Sequence, residues 1–231
     1  MKLTLVRHAT LLLESSLGRI LVDPMLRAAG STPTIEDTPN PRPNPLVELP
    51  VPAEEVVAGV DLCIVTHLHS DHFDDAAADL LPRGLPILTQ PESAEGLAQR
   101  GFTNVATRHD SIAMARGRHG TGETAAAMGA VSGWVVNDVY IAGDTIWCEE
   151  VDRALAEHEP RAVVVNGGAA RFLSGDPIVM DAGDVRRARA STSGEVVVVH
   201  LEAMNHCLEP RSTYRAIDGV RVPDDGETIE L

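Results

Sequence analysis

The segment THLHSDHFDD (residues 66–75) places His67, His69, Asp71 and His72 within six positions. Imidazole and carboxylate are ordinary ligands of zinc and similar ions, about three from the protein at a catalytic site and four at a structural one. In an extended chain His67 and His69 project to the same side, because side chains alternate with period two. Asp71 and His72 fall where the chain turns toward a helix, so they are expected to point elsewhere. Four ligands from so short a run around one ion would strain the backbone, and the spacing reads instead as one loop feeding two adjacent metals. Further ligands are then required downstream, at strand ends. His119 in RGRHGTGE, Asp144 closing DVYIAGD and His200 closing VVVVH meet that requirement. Seven side chains would thus serve two ions, with Asp144 shared.

The elements that must hold these residues follow from local pattern. LTLV, ATLLLE and RILVD are β-prone runs in the first 23 residues, with a turn at Leu17-Gly18-Arg19. VDLCIVTH (60–67) reads as a buried strand and FDDAAADLL (73–81) as a helix start, so the ligand-rich segment spans a strand exit. LPILTQ and NVATRH read as strands, and PESAEGLAQRG between them as a helix ending at Gly101. SGWVVN and DVYIAGD form a hairpin about Asn137-Asp138. A helix stopped by Pro160, the strand RAVVVNGG, a helix capped by Asp181 and the strand GEVVVVHLE complete the pattern. Residues 31–52 carry seven prolines, too many for a helix or central strand, and are expected to form an ordered loop over the active site. No domain boundary is visible, so residues 1–231 read as one α/β domain. The order of elements fits a four-layer αββα sandwich, although pattern alone does not separate it from a three-layer fold.

With 34 acidic against 19 basic residues and a formal charge of −15, the chain disfavours nucleic acid as a partner. The three cysteines imply no disulfide framework and fit a reducing cytoplasm. The apolar start MKLTLVRHATLLLE is broken by Arg7 and His8, unlike a signal peptide, and no run is long enough to span a membrane. A small-molecule substrate is the expected partner, and a homo-oligomer stays open.

THLHSDH, His119, the GDT at Asp144 and His200, in that order, resemble the ligand motifs of the metallo-β-lactamase superfamily of metal-dependent hydrolases. The likeness runs from about residue 3 to residue 206. RHAT, LVDP and DPIVMDAGDV further resemble the branch that contains L-ascorbate-6-phosphate lactonase. The resemblance implies the αββα sandwich, with His67, His69 and His119 on one metal, Asp71, His72 and His200 on the other, and Asp144 bridging. It implies two divalent ions, zinc being expected from the imidazole-rich set and manganese or iron being the alternatives. HLEAMNHC adds His206 beyond the expected ligand, so the choice between His200 and His206 stays open here.

The expected activity is hydrolysis of a small ester or lactone by a metal-bridged hydroxide, with Asp71 orienting the nucleophile or passing on its proton. A small-molecule phosphodiesterase and a non-catalytic metal-binding protein on the same fold are the alternatives. His8 and His206 are candidates to touch substrate, each balanced against a purely structural hydrogen bond. Arg171, in the glycine-rich NGGAARF, could receive an anion together with backbone N–H groups, or the segment could be a plain turn packed on the sheet. Asp23 is expected to hydrogen-bond the ligand loop rather than a metal, and Cys207 to be an inert buried thiol.

Overall fold

A computed structural model describes all 231 residues. The chain opens with a meander of β1 (Lys2–Arg7), β2 (Thr10–Ser15) and β3 (Gly18–Val22). After the Pro-rich segment come α1 (Ala53–Val57), β4 (Leu62–Val65), α2 (Asp75–Leu80), β5 (Ile87–Thr89), α3 (Pro91–Gln99) and β6 (Val105–Ala106). The second half begins with β7 (Ile112–Arg116), α4 (Gly122–Met128), β8 (Ser132–Val136) and β9 (Val139–Ile141). It continues through α5 (Glu149–His158), β10 (Ala162–Asn166), α6 (Ala182–Ser191), β11 (Glu195–Val199), α7 (Arg211–Arg215), β12 (Val220–Arg221) and β13 (Thr228–Glu230).

Two sheets result, in the orders β13-β1-β2-β3-β4-β5-β6 and β12-β11-β10-β9-β8-β7. In the first, β3 to β6 run parallel; in the second, β9 to β12 do. The period-two alternation of side chains sorts the layers. Leu3, Leu5, Leu13, Ile20 and Ile64 of the first sheet meet Trp134, Ile141, Val164 and Val197 of the second in one buried cluster between the sheets. Their strand neighbours face outward: Leu21, Cys63 and Val65 pack under α1, α2 and α3 through Val56, Ala77 and Leu97. Val163, Val165, Val196 and Val198 pack under α5, α6 and α7 through Val151, Val185 and Tyr214. Helix, sheet, sheet and helix make the four-layer αββα sandwich, built from aliphatic residues with Trp134 fully buried. No helix is long and apolar enough to cross a membrane.

The predicted hairpin turn lies at Asn137 (φ 47°) and Asp138 (φ 63°), the left-handed pair a tight two-residue connection needs. Asp181 caps α6 by accepting the Asp184 N–H, as expected. NVATRH shrinks to the two residues of β6, and six short elements (α1, β7, α4, α7, β12, β13) were not expected from the pattern. Each is seven residues or fewer, too short to display a period of its own. One of them, α4, stands between His119 and β8, where a loop leading directly into a strand pair was expected.

The Pro-rich segment is ordered against the domain from two sides. Arg7 is fully buried, and its guanidinium donates to the carbonyls of Met25 (2.8 Å), Arg27 (2.8 Å) and Val47 (3.0 Å). Asn205, also fully buried, exchanges hydrogen bonds with Asn44: its N–H reaches Asn44 Oδ1 at 2.9 Å and its Oδ1 accepts Asn44 Nδ2 at 2.7 Å.

Candidate metal centre

The candidate ligands emerge where strands end. His67 follows β4, Asp144 follows β9 and His200 directly follows β11, all parallel strands leaving the sheets at their C-terminal ends. Crevices outside such ends are the usual ligand sites of α/β folds. His119 follows β7, and His8 directly follows β1.

All seven side chains converge. His67, His69 and His119 have ligand atoms within 4.8 Å of one another, as do His8, Asp71, His72 and His200, and as do His67, His72 and Asp144. Asp144 lies between the groups: its Oδ2 is 3.2 Å from His72 Nε2, 3.5 Å from His119 Nε2 and 4.0 Å from His67 Nε2, and its Oδ1 is 3.4 Å from His200 Nε2. Asp71 Oδ2 is 3.7 Å from His200 Nε2 and 3.9 Å from His72 Nε2. The two pairs of the HLHSDH loop are not turned away from each other, since the rings of His67 and His72 approach to 4.2 Å. They are separated by the partners they meet downstream. His200, and not His206, enters the cluster.

Surrounding groups orient the rings. Asp23 accepts the Thr66 N–H (2.8 Å) and Thr66 Oγ1 (2.7 Å), and its Oδ2 lies 2.8 Å from His72 Nδ1. It thus binds the ligand loop, as expected, and leaves His72 Nε2 aimed into the cluster. His119 Nδ1 donates to the Ile178 carbonyl at 2.8 Å, freeing Nε2 in the same way. Such outward bonds fix the tautomer and aim of metal-ligating imidazoles. Asn166 Nδ2 donates to Asp144 Oδ1 at 2.7 Å. Neither Asn166 nor Thr66 was singled out from sequence, although Asn166 closes AVVVN as His200 closes VVVVH. Three residues here carry left-handed backbone, His8 (φ 60°), Asp23 (φ 44°) and His200 (φ 67°), a conformation uncommon for non-glycine residues.

The donor set fits divalent cations. His72 Nε2 and His200 Nε2 are buried without a hydrogen-bond partner, even though carboxylate oxygens stand 3.2 to 3.9 Å away. Ring nitrogens and carboxylate oxygens that converge without hydrogen-bond geometry are what a cation would satisfy once it displaces the imidazole protons. Burial, reinforced by the charge of His72, pushes His67 well below the usual imidazole value, and burial also lowers His119. Burial opposes charge on His72 and His200, but the carboxylates, Asp144 foremost, outweigh it and hold both well above. Burial likewise opposes ionisation of Asp71 and Asp144, and the histidines overcome it, so both carboxyls stay well below their usual range.

Of the other predicted residues, His8 is fully buried behind the cluster, its Nε2 3.3 Å from Asp71 Oδ2 and its ring 3.6 Å from that of His200. It supports Asp71 and does not line the cavity described next. His206 does line that cavity, with its Nδ1 unpartnered. Burial lowers its pKa to about 4. Arg171 is exposed and outside the cavity lining. The N–H groups of Gly167, Gly168, Ala169 and Arg171 are spent on Val199 O, Tyr214 Oη, Met180 O and His206 O, so NGGAARF is a packed turn rather than an anion nest. Cys207 lies 3.6 Å from His200 Nδ1, and burial raises its pKa, keeping it a thiol.

A cavity of about 300 Å³ opens beside the cluster. Asp71, Asp144, His69, His119 and His206 form its polar side, and Ile35, Leu68, Met128, Phe172 and Ile178 its apolar side. Ile35 comes from the Pro-rich segment, which therefore borders the site as expected.

Residues 2–138 match a family model described as a beta-lactamase superfamily domain. The UPF0173 protein YddR of Bacillus subtilis is 33% identical over 99% of this chain and 99% of its own. Among solved structures, a possible metal-dependent hydrolase from Veillonella parvula superposes with a TM-score of 0.94 at 31% identity, covering 100% of this chain and 99% of that one. An isothiocyanate hydrolase from Delia radicum gut bacteria superposes with a TM-score of 0.93 at 33% identity, with the same coverage of 100% and 99%. The chain belongs to the beta-lactamase superfamily, within its UPF0173 group of metal-dependent hydrolases, and carries the metallo-β-lactamase fold.

Proposed function

We propose that the chain hydrolyses a small uncharged electrophile at carbon, using two divalent ions, zinc by preference. His67, His69 and His119 would hold one ion, Asp71, His72 and His200 the other, and Asp144 would reach both. The observation that carries this reading is the His/Asp cluster of the seven predicted ligands, joined by His8, opening on a cavity whose lining contains no lysine or arginine. A phosphodiester or other anion would find no cationic side chain beyond the metals. Arg27 and Arg100 line a separate cavity that shares Leu68 and Ser70, and both face Asp75 there.

When bound, the ions supply water activated for attack at neutral pH and polarisation of the electrophile. The chain's own groups do the rest. Asp71, held ionised and buttressed by His8, accepts a hydrogen bond from the attacking water and passes its proton on. His206, uncharged at neutral pH, presents an imidazole to the leaving group. Ile35, Met128 and Phe172 exclude bulk water from the body of the substrate.

Two substrate types suit this cavity. An ester or lactone would lose its alkoxide as water adds to the carbonyl carbon. An isothiocyanate, R–N=C=S, would take water at its central carbon and break the C–N bond, giving an amine and carbonyl sulfide. The full-length likeness to an isothiocyanate hydrolase favours the second. The test is a panel of lactones, aryl esters, benzyl isothiocyanate and phosphodiesters, run with and without chelator. Chelator-sensitive turnover of an uncharged substrate is expected. Turnover confined to phosphodiesters, or activity indifferent to chelator, would overturn the reading. Metal content below about one ion per chain under replete conditions would favour a non-catalytic role.

A further inference from the structure

The cavity beside the cluster shares its apolar wall with a second depression. Met128 and Phe172 also line an outer groove of about 470 Å³, formed between α4 and residues 172–174. Ala127 and Leu173 belong to that groove alone, and Asp37 and Glu123 stand on its rim. Two features set it apart from ordinary surface. Leu173 is 69% exposed, while nearly every other large apolar side chain is packed away. And α4, one whole side of the groove, buries none of its residues. Phe172 and Met128 thus stand between the cavity at the ligand cluster and a groove that reaches Leu173, with carboxylates and no lysine or arginine in either lining.

We propose that the groove between α4 and residues 172–174 is a second binding subsite, which takes an extended alkyl or aryl substituent of an uncharged substrate whose reacting carbon sits at the cluster. Phe172, Met128 and Leu173 are its specificity-determining residues. This rests on the hydrolase reading above and narrows it to long-tailed apolar electrophiles. The rim acids Asp37 and Glu123 reject a tail that ends in an anion. Each methylene drawn from water into such a groove is worth up to about 0.8 kcal/mol, or roughly fourfold in affinity.

Two arms of one experiment separate this subsite from the reaction itself. Hydrolysis of n-alkyl isothiocyanates and of p-nitrophenyl alkanoates is measured from two to eight carbons, and calorimetry measures binding of the unreactive n-alkanamides of the same lengths. Both kcat/KM and affinity are expected to climb by about two- to fourfold per methylene and to fall back when the tail ends in a carboxylate. Leu173→Ser and Ala127→Asp, both on the surface, should flatten that slope. A slope absent from both arms, or one that survives in both variants, overturns the subsite. Length-dependent binding of the amides without hydrolysis of any substrate would uphold the subsite and sink the hydrolase reading.

Discussion

Asp23 Oδ2 and His72 Nδ1 are 2.8 Å apart, and the same carboxylate holds the backbone and hydroxyl of Thr66. One residue at the exit of β3 thereby sets both the course of the ligand loop and the aim of His72. Replacing Asp23 by Ala should weaken metal binding by about 10- to 100-fold, the usual scale for a carboxylate behind a ligating histidine. Chelator competition against a chromogenic indicator checks this. Wild-type affinity in a folded Asp23→Ala protein would show that His72 needs no such support.

Asp71 has a different task. It lies in the cavity lining and also receives His8 from behind, so it touches both the nucleophile's position and the buried side of the cluster. Asp71→Ala should lower turnover by at least about 100-fold, the scale of general acid–base contributions. Metal content is measured on the same sample. Near-normal turnover with both ions retained would remove Asp71 from the reaction.

Without metal, the cluster balances its own charge. His72 and His200 are held protonated by the carboxylates that outweigh their burial, and Asp71 and Asp144 stay ionised. Divalent ions must displace those two protons. Since both imidazoles titrate well above their ordinary value, apparent metal affinity should rise with pH across neutrality and fall as pH drops. The slope should approach about tenfold per pH unit for each proton released. Proton release on zinc addition, followed in weakly buffered solution with a pH dye, reads this directly; uptake, or no change, would contradict it. Chelation should also lower Tm, because the ions bind only the folded chain.

How much of this was legible in the sequence depended on whether a signal was local. His67, His69, Asp71 and His72 were adjacent in the chain, and Asp144 and His200 each closed an apolar strand, so chemistry and position coincided. Asn166 sits at an equivalent strand tip, but an amide in an Asn-Gly-Gly run reads equally well as a turn residue. Only the 2.7 Å bond to Asp144 gives it a role. Around Arg171 the glycines fitted an anion site and a packed turn equally well, and the N–H groups of Gly167 and Gly168 are consumed by Val199 and Tyr214, with that of Ala169 on Met180. The Val and Leu runs marked the strands, but how two sheets stack was not in their pattern, and the four-layer sandwich came from the resemblance that the ligand motifs carry. The choice of Ile35 and Phe172 as cavity walls did not follow, since it depends on how two loops pack in space.

The stretch of loop that carries Ile35 is gathered around one buried side chain. Asn205 Oδ1 accepts Asn44 Nδ2 at 2.7 Å and the Ile35 N–H at 3.2 Å. Its Nδ2 has Thr38 Oγ1 at 2.6 Å, Thr34 Oγ1 at 2.8 Å and the Asn40 carbonyl at 3.0 Å among its acceptors. More acceptors surround that amide than its two hydrogens can serve, so the segment from Thr34 to Asn44 is wrapped around one residue. Asn205→Ala would leave the Asn44 amide without its acceptor and several loop groups without their donor. Each buried polar group left unpaired costs about 1 to 3 kcal/mol, enough to open a loop that has no strand or helix of its own. The expected result is faster amide exchange and faster proteolytic cutting across residues 34–44. KM should rise as Ile35 withdraws from the cavity. Exchange rates there that match the wild type would show that Arg7, through Val47, secures the loop without help from Asn205.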